Sequence, residues 1–267
     1  MIAMATLDVA AIDGALAGTI FHGKLHHFAV IDSTNARALA DAHAGAEAGQ
    51  VYIADEQTAG RGRGGHTWHS VPDHGLYMTV LVRPALASKD VLKLSMMTAI
   101  AAARAVEGLC AHRIDLRWPN DLMVPAVGAM SKKVGGILTE ATSSPDGTVR
   151  HAAIGIGINL NQTEMPDELS ATATSLRLQW GRTVSREALA QALLCALHAE
   201  LRDDAETVSA RFEQASTWVH GKRVTVAEGD GYTGVTCGLN SAGLLRVRCN
   251  DGTERVVRHG GVRECID

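Results

Sequence analysis

The apolar residues divide the chain into a mixed region and a tail of short strands. Residues 27–31, 51–54 and 76–82 are apolar runs of strand length. Between the first two, Asp32-Ser33-Thr34-Asn35 leads into an alanine-rich stretch, 36–46. Small polar side chains ahead of good helix formers predict a helix start, because their oxygens accept bonds from otherwise unpaired backbone N–H groups. A longer helix, apolar enough to be deeply buried, is expected from a Ser88 cap to about Glu107. Residues 114–118, 121–124, 134–139 and 149–160 read as further strands. From Ser185 onward Leu189, Leu193, Leu197 and Leu201 recur every fourth residue and predict one face of a helix.

The period changes near residue 220. Segments 222–226, 232–239, 243–249 and 253–258 are short strand patterns parted by Glu228-Gly229-Asp230-Gly231, Asn240-Ser241-Ala242 and Asn250-Asp251-Gly252. That spacing predicts a small β-barrel or sandwich. Two domains are therefore expected, 1–220 and 221–267.

Composition narrows the class. The 267 residues are 46% hydrophobic and 20% charged, ordinary for a globular chain, which argues against disorder, collagen or coiled coil. A formal net charge of −4 lacks the global field of a non-specific nucleic-acid binder. The five cysteines are odd in number, widely spaced and form no C-x-x-C, which points to reduced thiols in a cytoplasm. No basic leader before an apolar stretch and no long apolar run is present, so neither a secretory signal nor a membrane span is expected.

The candidate chemistry begins at Gln57 and runs through Gly60-Arg61-Gly62-Arg63-Gly64-Gly65-His66-Thr67-Trp68. Glycines let the backbone bend tightly and bring N–H groups to a ligand, and Arg61 and Arg63 supply forked cations suited to phosphate oxygens. No Gly-Lys-Ser/Thr occurs, so this is not a P-loop. On composition alone a flexible arginine-glycine segment for RNA fits equally well, although the element occurs once and carries no interleaved aromatics. Three later stretches favour a built site. Arg117-Trp118-Pro119-Asn120-Asp121 holds Asn120 and Asp121 at a strand edge. Lys133 is followed by the glycine pair Gly135-Gly136. Gly155 and Gly157 alternate before Asn159, which clears one face of a strand.

In this order the motifs resemble the biotin protein ligases: Asp32 to Asn35, Gln57, Gly60-Arg61-Gly62-Arg63, Trp68, Trp118-Pro119-Asn120-Asp121, Lys133 to Leu138 and Gly155 to Asn159. The resemblance covers about residues 28–265. It implies an α/β (α+β) fold: a mixed central β-sheet with flanking helices, like the class II aminoacyl-tRNA synthetases, plus a small C-terminal SH3-like β-barrel. The implied enzyme uses ATP and Mg²⁺ to make biotinyl-5′-AMP, then transfers biotin to a lysine of a biotin carboxyl carrier protein domain. By the same likeness Lys133 and Arg63 are the catalytic residues. Ser33, Thr34, Asn35, Gln57, Gly60, Arg61, Gly62, Arg63, Trp68, Lys133, Gly135, Gly136 and Gly155 are expected to contact biotin. Arg61, Arg63, His66, Asn120, Asp121, Lys133 and Asn159 are expected to contact the nucleotide. No dedicated protein metal site is expected, Mg²⁺ arriving with ATP, and by the same likeness Asp121 either orients ligands or helps hold it.

The chain also departs from the family pattern. His66 stands where an arginine is usual, and Arg117 where many members have lysine. Arg263 is a loose candidate for an arginine that some members place near the C-terminus. About 26 residues precede the first predicted strand, too few for a DNA-binding domain, so a ligase that does not bind DNA, cytoplasmic and either monomeric or weakly dimeric, is expected. Two alternatives stay open: a lipoate- or octanoate-handling transferase of the same superfamily, and a non-enzymatic RNA-binding or adaptor protein. His66, His69 and His74 fit no standard zinc spacing.

Overall fold

In the computed structural model the described residues are 7–125, 130–258 and 261–265. In chain order they form α1 (Val9–Ala15), β1 (Leu25–Ile31), α2 (Thr34–His43), β2 (Val51–Gln57), β3 (Gly75–Val82), α3 (Val91–Cys110), β4 (Asp115–Arg117), β5 (Asp121–Val124), β6 (Lys132–Ser143) and β7 (Val149–Asn159). Then follow α4 (Asp167–Ser170), α5 (Leu176–Trp180), α6 (Arg186–Arg202), α7 (Val208–Ala215), β8 (His220–Val226), β9 (Tyr232–Leu239), β10 (Leu245–Cys249), β11 (Glu254–Val256) and β12 (Val262–Glu264).

Seven strands make one mixed sheet in the order β1-β2-β3-β7-β6-β5-β4, with β1 and β2 parallel and the other pairs antiparallel. Its sides are covered differently. Val51, Ile53, Val80, Val82, Ala152 and Ile154 join α1, α3 and α6 in the main core. Their sequence neighbours Tyr52, Leu81 and Ala153 pack instead against Ala38 and Ala42 of α2. This is the alternation of a strand buried on both faces. On α6 the leucine stripe behaves as expected: Leu189, Leu193 and Leu197 are buried, and Ser185 caps the helix by accepting from the Ala188 N–H at 3.1 Å. Ser88 does not cap α3; a 3₁₀ turn over Ser88–Asp90 comes first, and the Ser88 hydroxyl bonds Ser143 instead.

The C-terminal strands form a five-stranded antiparallel sheet, order β11-β10-β9-β8-β12. Its inward residues Val224, Val226, Leu245 and Val247 belong to the same apolar core as α3 and α7. The Trp118 indole N–H also donates to the Gly243 carbonyl at 2.9 Å, tying the turn before β5 to this sheet. No described helix is long and apolar enough to cross a membrane.

Candidate active site

On the face of the large sheet covered by α2, glycines open gaps in the wall of side chains. In register across β3, β7 and β6 lie Thr79, Gly155 and Leu138, then Tyr77, Gly157 and Gly136. A Cβ at Gly157 would sit 2.5–2.8 Å from the Trp68 indole, and one at Gly155 would lie 2.3 Å from Asn35 Oδ1. The bare wall thus holds the indole and the amide where β-carbons would otherwise be. It floors a narrow cleft of about 50 Å³ lined by Ser33, Thr34, Asn35, Gln57, Arg61, Gly62, Arg63, Trp68, Lys133 and Gly136, among others.

One end of the cleft is a hydrogen-bonded polar cluster. Ser33 is the N-cap of α2, its hydroxyl accepting from the Ala36 N–H at 3.4 Å. The Thr34 N–H donates to Gln57 Oε1 at 2.9 Å, and the Gln57 amide reaches the Ser70 hydroxyl at 3.3 Å. Asn35 donates to Glu140 Oε2 at 2.9 Å and to the Leu138 carbonyl at 3.2 Å. The hydroxyl of buried Thr79 lies 2.6 Å from Asn35 Oδ1 and 2.8 Å from Thr34 Oγ1.

The other end is cationic. Lys133 Nζ lies 2.6 Å from Asp121 Oδ1 and 5.6 Å from the centre of the Trp68 ring. Arg117 binds Asp121 Oδ2 through Nε at 3.0 Å and Nη2 at 2.6 Å. Burial opposes ionisation of Asp121, but the fields and hydrogen bonds of Lys133 and Arg117 win and hold its carboxyl below the usual carboxylate range. Arg63 donates to Asn120 Oδ1 at 3.1 Å, and Asn120 is itself pinned to β6 by Nδ2 donating to the Ile137 carbonyl at 2.8 Å. Burial lowers the Arg63 guanidinium from its ordinary value, with Asp121 opposing.

A β-bulge aims Lys133. Leu122 pairs with Gly135 but Met123 pairs with Lys133, so Val134 is an extra residue in β6. Residues three apart in a regular strand face opposite sides; the bulge brings the Lys133 ammonium beside Gly136, 3.0 Å from where its Cβ would be. The Lys133 backbone is also clasped by 172–174, with its N–H donating to the Thr172 carbonyl at 2.8 Å and its carbonyl accepting from Thr174 at 2.9 Å.

The arginine-glycine segment is a compact hairpin. Gly62 donates to His66 at 2.7 Å, Trp68 donates to Gly60 at 2.9 Å, and Arg61 and Thr67 form a bridge. Gly64 and Gly65 take φ of 65° and 80° at its tip, where a side chain would be strained. Gly60, Gly62 and Gly65 do satisfy the letter of the dinucleotide fingerprint Gly-x-Gly-x-x-Gly. Its context is missing, since no helix follows and the chain folds back on itself. Arg61 reaches across to Glu140 Oε2 at 3.1 Å.

Not every expected residue lines the cleft. Gly135 is on the opposite face, where its Cβ would meet Leu122 and Ile158, because the bulge and the strand alternation separate it from Gly136. Gly60 sits at the hairpin base, with no room for a Cβ against the Trp68 carbonyl. His66, Asp121 and Arg263 line an adjoining hollow with Arg63 and Lys133, and Asn159 lines a further one with Trp68, Arg117 and Leu169. Thr79, Glu140 and Ser70 have no motif of their own in the sequence; only strand register brings them here.

A seven-stranded mixed sheet with a bared face, a cationic hairpin and a bulge-mounted lysine defines a class, and comparison with known proteins agrees. Residues 27–159 match the biotin/lipoate A/B protein ligase family. The chain belongs to that family. It is 37% identical over 176 residues to the bifunctional ligase/repressor BirA of Bacillus spizizenii, a match covering 65% of this chain and 52% of that protein, so it spans about half the length of that relative. It is 31% identical over 222 residues to the biotin–[acetyl-CoA-carboxylase] ligase of Mycobacterium tuberculosis, covering 80% of this chain and 79% of that one. A solved biotin protein ligase from Aquifex aeolicus in complex with biotin and ATP superposes with a TM-score of 0.75 at 26% identity, covering 91% of this chain and 100% of that chain.

Proposed function

We propose that this chain is a biotin protein ligase that forms biotinyl-5′-AMP and transfers the biotinyl group to a lysine of a biotin carboxyl carrier domain. One observation carries the reading: the Lys133 ammonium stands between a hydrogen-bonding pocket suited to a ureido ring and a cationic bay suited to phosphates.

In the first step biotin's carboxylate attacks the α-phosphorus of ATP and pyrophosphate leaves. Two anions must meet while charge builds on the phosphorus oxygens, so fixed cations lower the barrier. Lys133 faces the place where the two acids join, Arg63 stands near it on Asn120, and Arg61 reaches from the hairpin across the cleft, seated on Glu140. Ser33, Thr34, Asn35 and Gln57 hold the ring, while Trp68 and Gly136 flank the aliphatic chain. Asn120, His66 and Asn159 border the nucleotide. Asp121 holds Lys133 and Arg117 in place. In the second step a carrier lysine attacks the acyl carbon and AMP departs. Both Asp121 oxygens are occupied by cations. Mg²⁺ enters as the counter-ion of ATP, held largely through phosphates. The sheet after residue 220, expected as a second domain, shares the main core with α3 and α7 and borders the nucleotide through Arg263.

The test is direct. Protein, MgATP and a carrier domain are incubated with biotin, lipoate or octanoate, and the carrier is weighed by mass spectrometry. Addition of one biotinyl group only in the biotin arm is expected. Modification only with lipoate or octanoate contradicts the reading.

A further inference from the structure

Thr79 is buried in β3 behind the cleft and belongs to no recognised motif. We infer that the Thr79 hydroxyl sets the hydrogen-bond polarity of the pocket, so that Thr34 and Asn35 present only acceptors to the ligand and select a ring bearing N–H donors. The inference rests on the proposed function and deepens it.

Hydrogen counting carries it. The Asn35 Nδ2 group lies 2.9 Å from Glu140 Oε2 and 3.2 Å from the Leu138 carbonyl. Neither the carboxylate nor the carbonyl has a proton to give, so both accept, and both hydrogens of Nδ2 are committed to them. The amide orientation is thereby fixed and Oδ1 faces Thr79, 2.6 Å away. An amide oxygen cannot donate, so the single Thr79 proton goes to it. The Thr79 and Thr34 hydroxyl oxygens are 2.8 Å apart, while Thr34 Oγ1 is 3.0 Å from Gln57 Oε1. Because the Thr79 proton is taken, the Thr34 proton goes to Thr79 or to Gln57. Either way it points into the protein.

Thr34 Oγ1 and Asn35 Oδ1 are left with lone pairs for the ligand, beside a Gly155 wall that has no side chain to intervene. A complementary set of donors exists nearby. Ser33 uses its oxygen as the cap acceptor and keeps its proton, and Gln57 uses one Nε2 hydrogen on Ser70 and keeps the other. Acceptors on one side and donors on the other match a cyclic urea, which has two N–H groups and one carbonyl. A dithiolane ring offers no N–H, and seating it would leave both acceptors dry and unpaired, a cost borne fully in a buried site. Glu140 contributes by holding both Asn35 and Arg61, so the polarity of the pocket and the seat of the hairpin share one carboxylate.

Two comparisons test this. In the first, biotin affinity and the apparent KM for ATP are measured for wild type, Thr79→Val and Thr79→Ser, with folding checked by thermal melting. Thr79→Val is expected to raise the biotin Kd by about tenfold or more, Thr79→Ser by less than about threefold, and neither to shift the KM for ATP beyond about twofold. In the second, wild-type protein is offered a cyclic carbamate isostere of biotin, in which one ring N–H is replaced by oxygen. It is expected to bind at least about thirtyfold more weakly than biotin, and Thr79→Val to discriminate less between the two rings. Equal damage from serine and valine, a valine variant within twofold of wild type, or wild-type tolerance of the carbamate overturns the inference. Should Thr79→Val not fold, Thr79→Ala takes its place in both comparisons. If wild type binds no biotin at all, the proposed function falls as well; normal biotin binding by Thr79→Val removes only the inference.

Discussion

The Lys133 ammonium touches both halves of the cleft, and its neighbours determine how it does so. Asp121 is shared between Lys133 and Arg117, so it stays ionised and keeps the amine directed. Asp121→Asn removes that anchor and leaves Arg117 unpaired. The adenylation rate is expected to fall by about tenfold to a hundredfold with biotin affinity nearly unchanged, because the pocket around Thr34 does not contact Asp121; rapid-quench measurement of biotinyl-5′-AMP checks this. His66 gives a prediction of the opposite sign. It lines the hollow with Arg63 and Lys133, where a guanidinium would bring a permanent forked cation to the phosphates. His66→Arg is expected to lower the apparent KM for ATP at pH 8, read from initial rates; an unchanged or raised KM contradicts it.

Among the elements, the hairpin over 60–68 and the wall of β7 depend on each other. Gly157 makes room for the Trp68 indole, and Trp68 in turn lies under the Lys133 ammonium. In Gly157→Ala the added methyl meets ring atoms at 2.5–2.8 Å, so the indole must move. Biotin affinity is expected to drop by about tenfold, with faster tryptic cleavage after Arg61 and Arg63, because overpacking displaces what it cannot compress. Native binding and unchanged proteolysis contradict this. The same elements show what a sequence can disclose. The glycines of β7 and the Ser33 cap were legible because strand alternation and capping are local rules. The β6 bulge was not, since nothing in Lys133-Val134-Gly135-Gly136 marks Val134 as the unpaired residue; only pairing with β5 does. Hence Gly135 and Gly136 looked equivalent in sequence and lie on opposite faces. Thr79 and Glu140 reach the cleft through pairing with strands 70 or more residues away in one case and a cross-sheet amide in the other, and neither relation has a short-range signature.

For the molecule as a whole, the small sheet is coupled to the site through stacked cations. Arg117 and Lys222 both lie over the Trp218 ring, 5.3 and 5.4 Å from its centre, and Arg117 continues to Asp121 and Lys133. Trp218→Leu is expected to raise the KM for ATP several-fold while leaving biotin affinity within about twofold, since the disturbance enters through Arg117 and cation–π contacts contribute about 0.5–2 kcal/mol each. Equal loss of both affinities contradicts the coupling. A second global property is pH dependence. His151 is fully buried with both ring nitrogens unpartnered. Burial lowers its pKa, and the fields of His43, Arg83 and Arg150 add to that. The unfolded chain takes up this proton below about pH 6.5, whereas the folded protein resists it, so stability is lost as pH falls from there through the folded value. The urea midpoint is expected to decline between pH 7.5 and 5.5, and less steeply in His151→Leu; parallel declines contradict it. The order of the sheets was the least legible feature, because the apolar runs that mark strands do not state which strands pair, and α7 and β12 carry too weak a pattern to stand out.

The most direct test of the account is biotin-dependent exchange of labelled pyrophosphate into ATP, run with wild type and Lys133→Ala. Exchange by the wild type that requires biotin, and a loss of about a hundredfold or more in the variant with biotin still bound, is the predicted result. Wild-type protein that exchanges nothing when given biotin, or a Lys133→Ala variant that exchanges as fast as wild type, contradicts it.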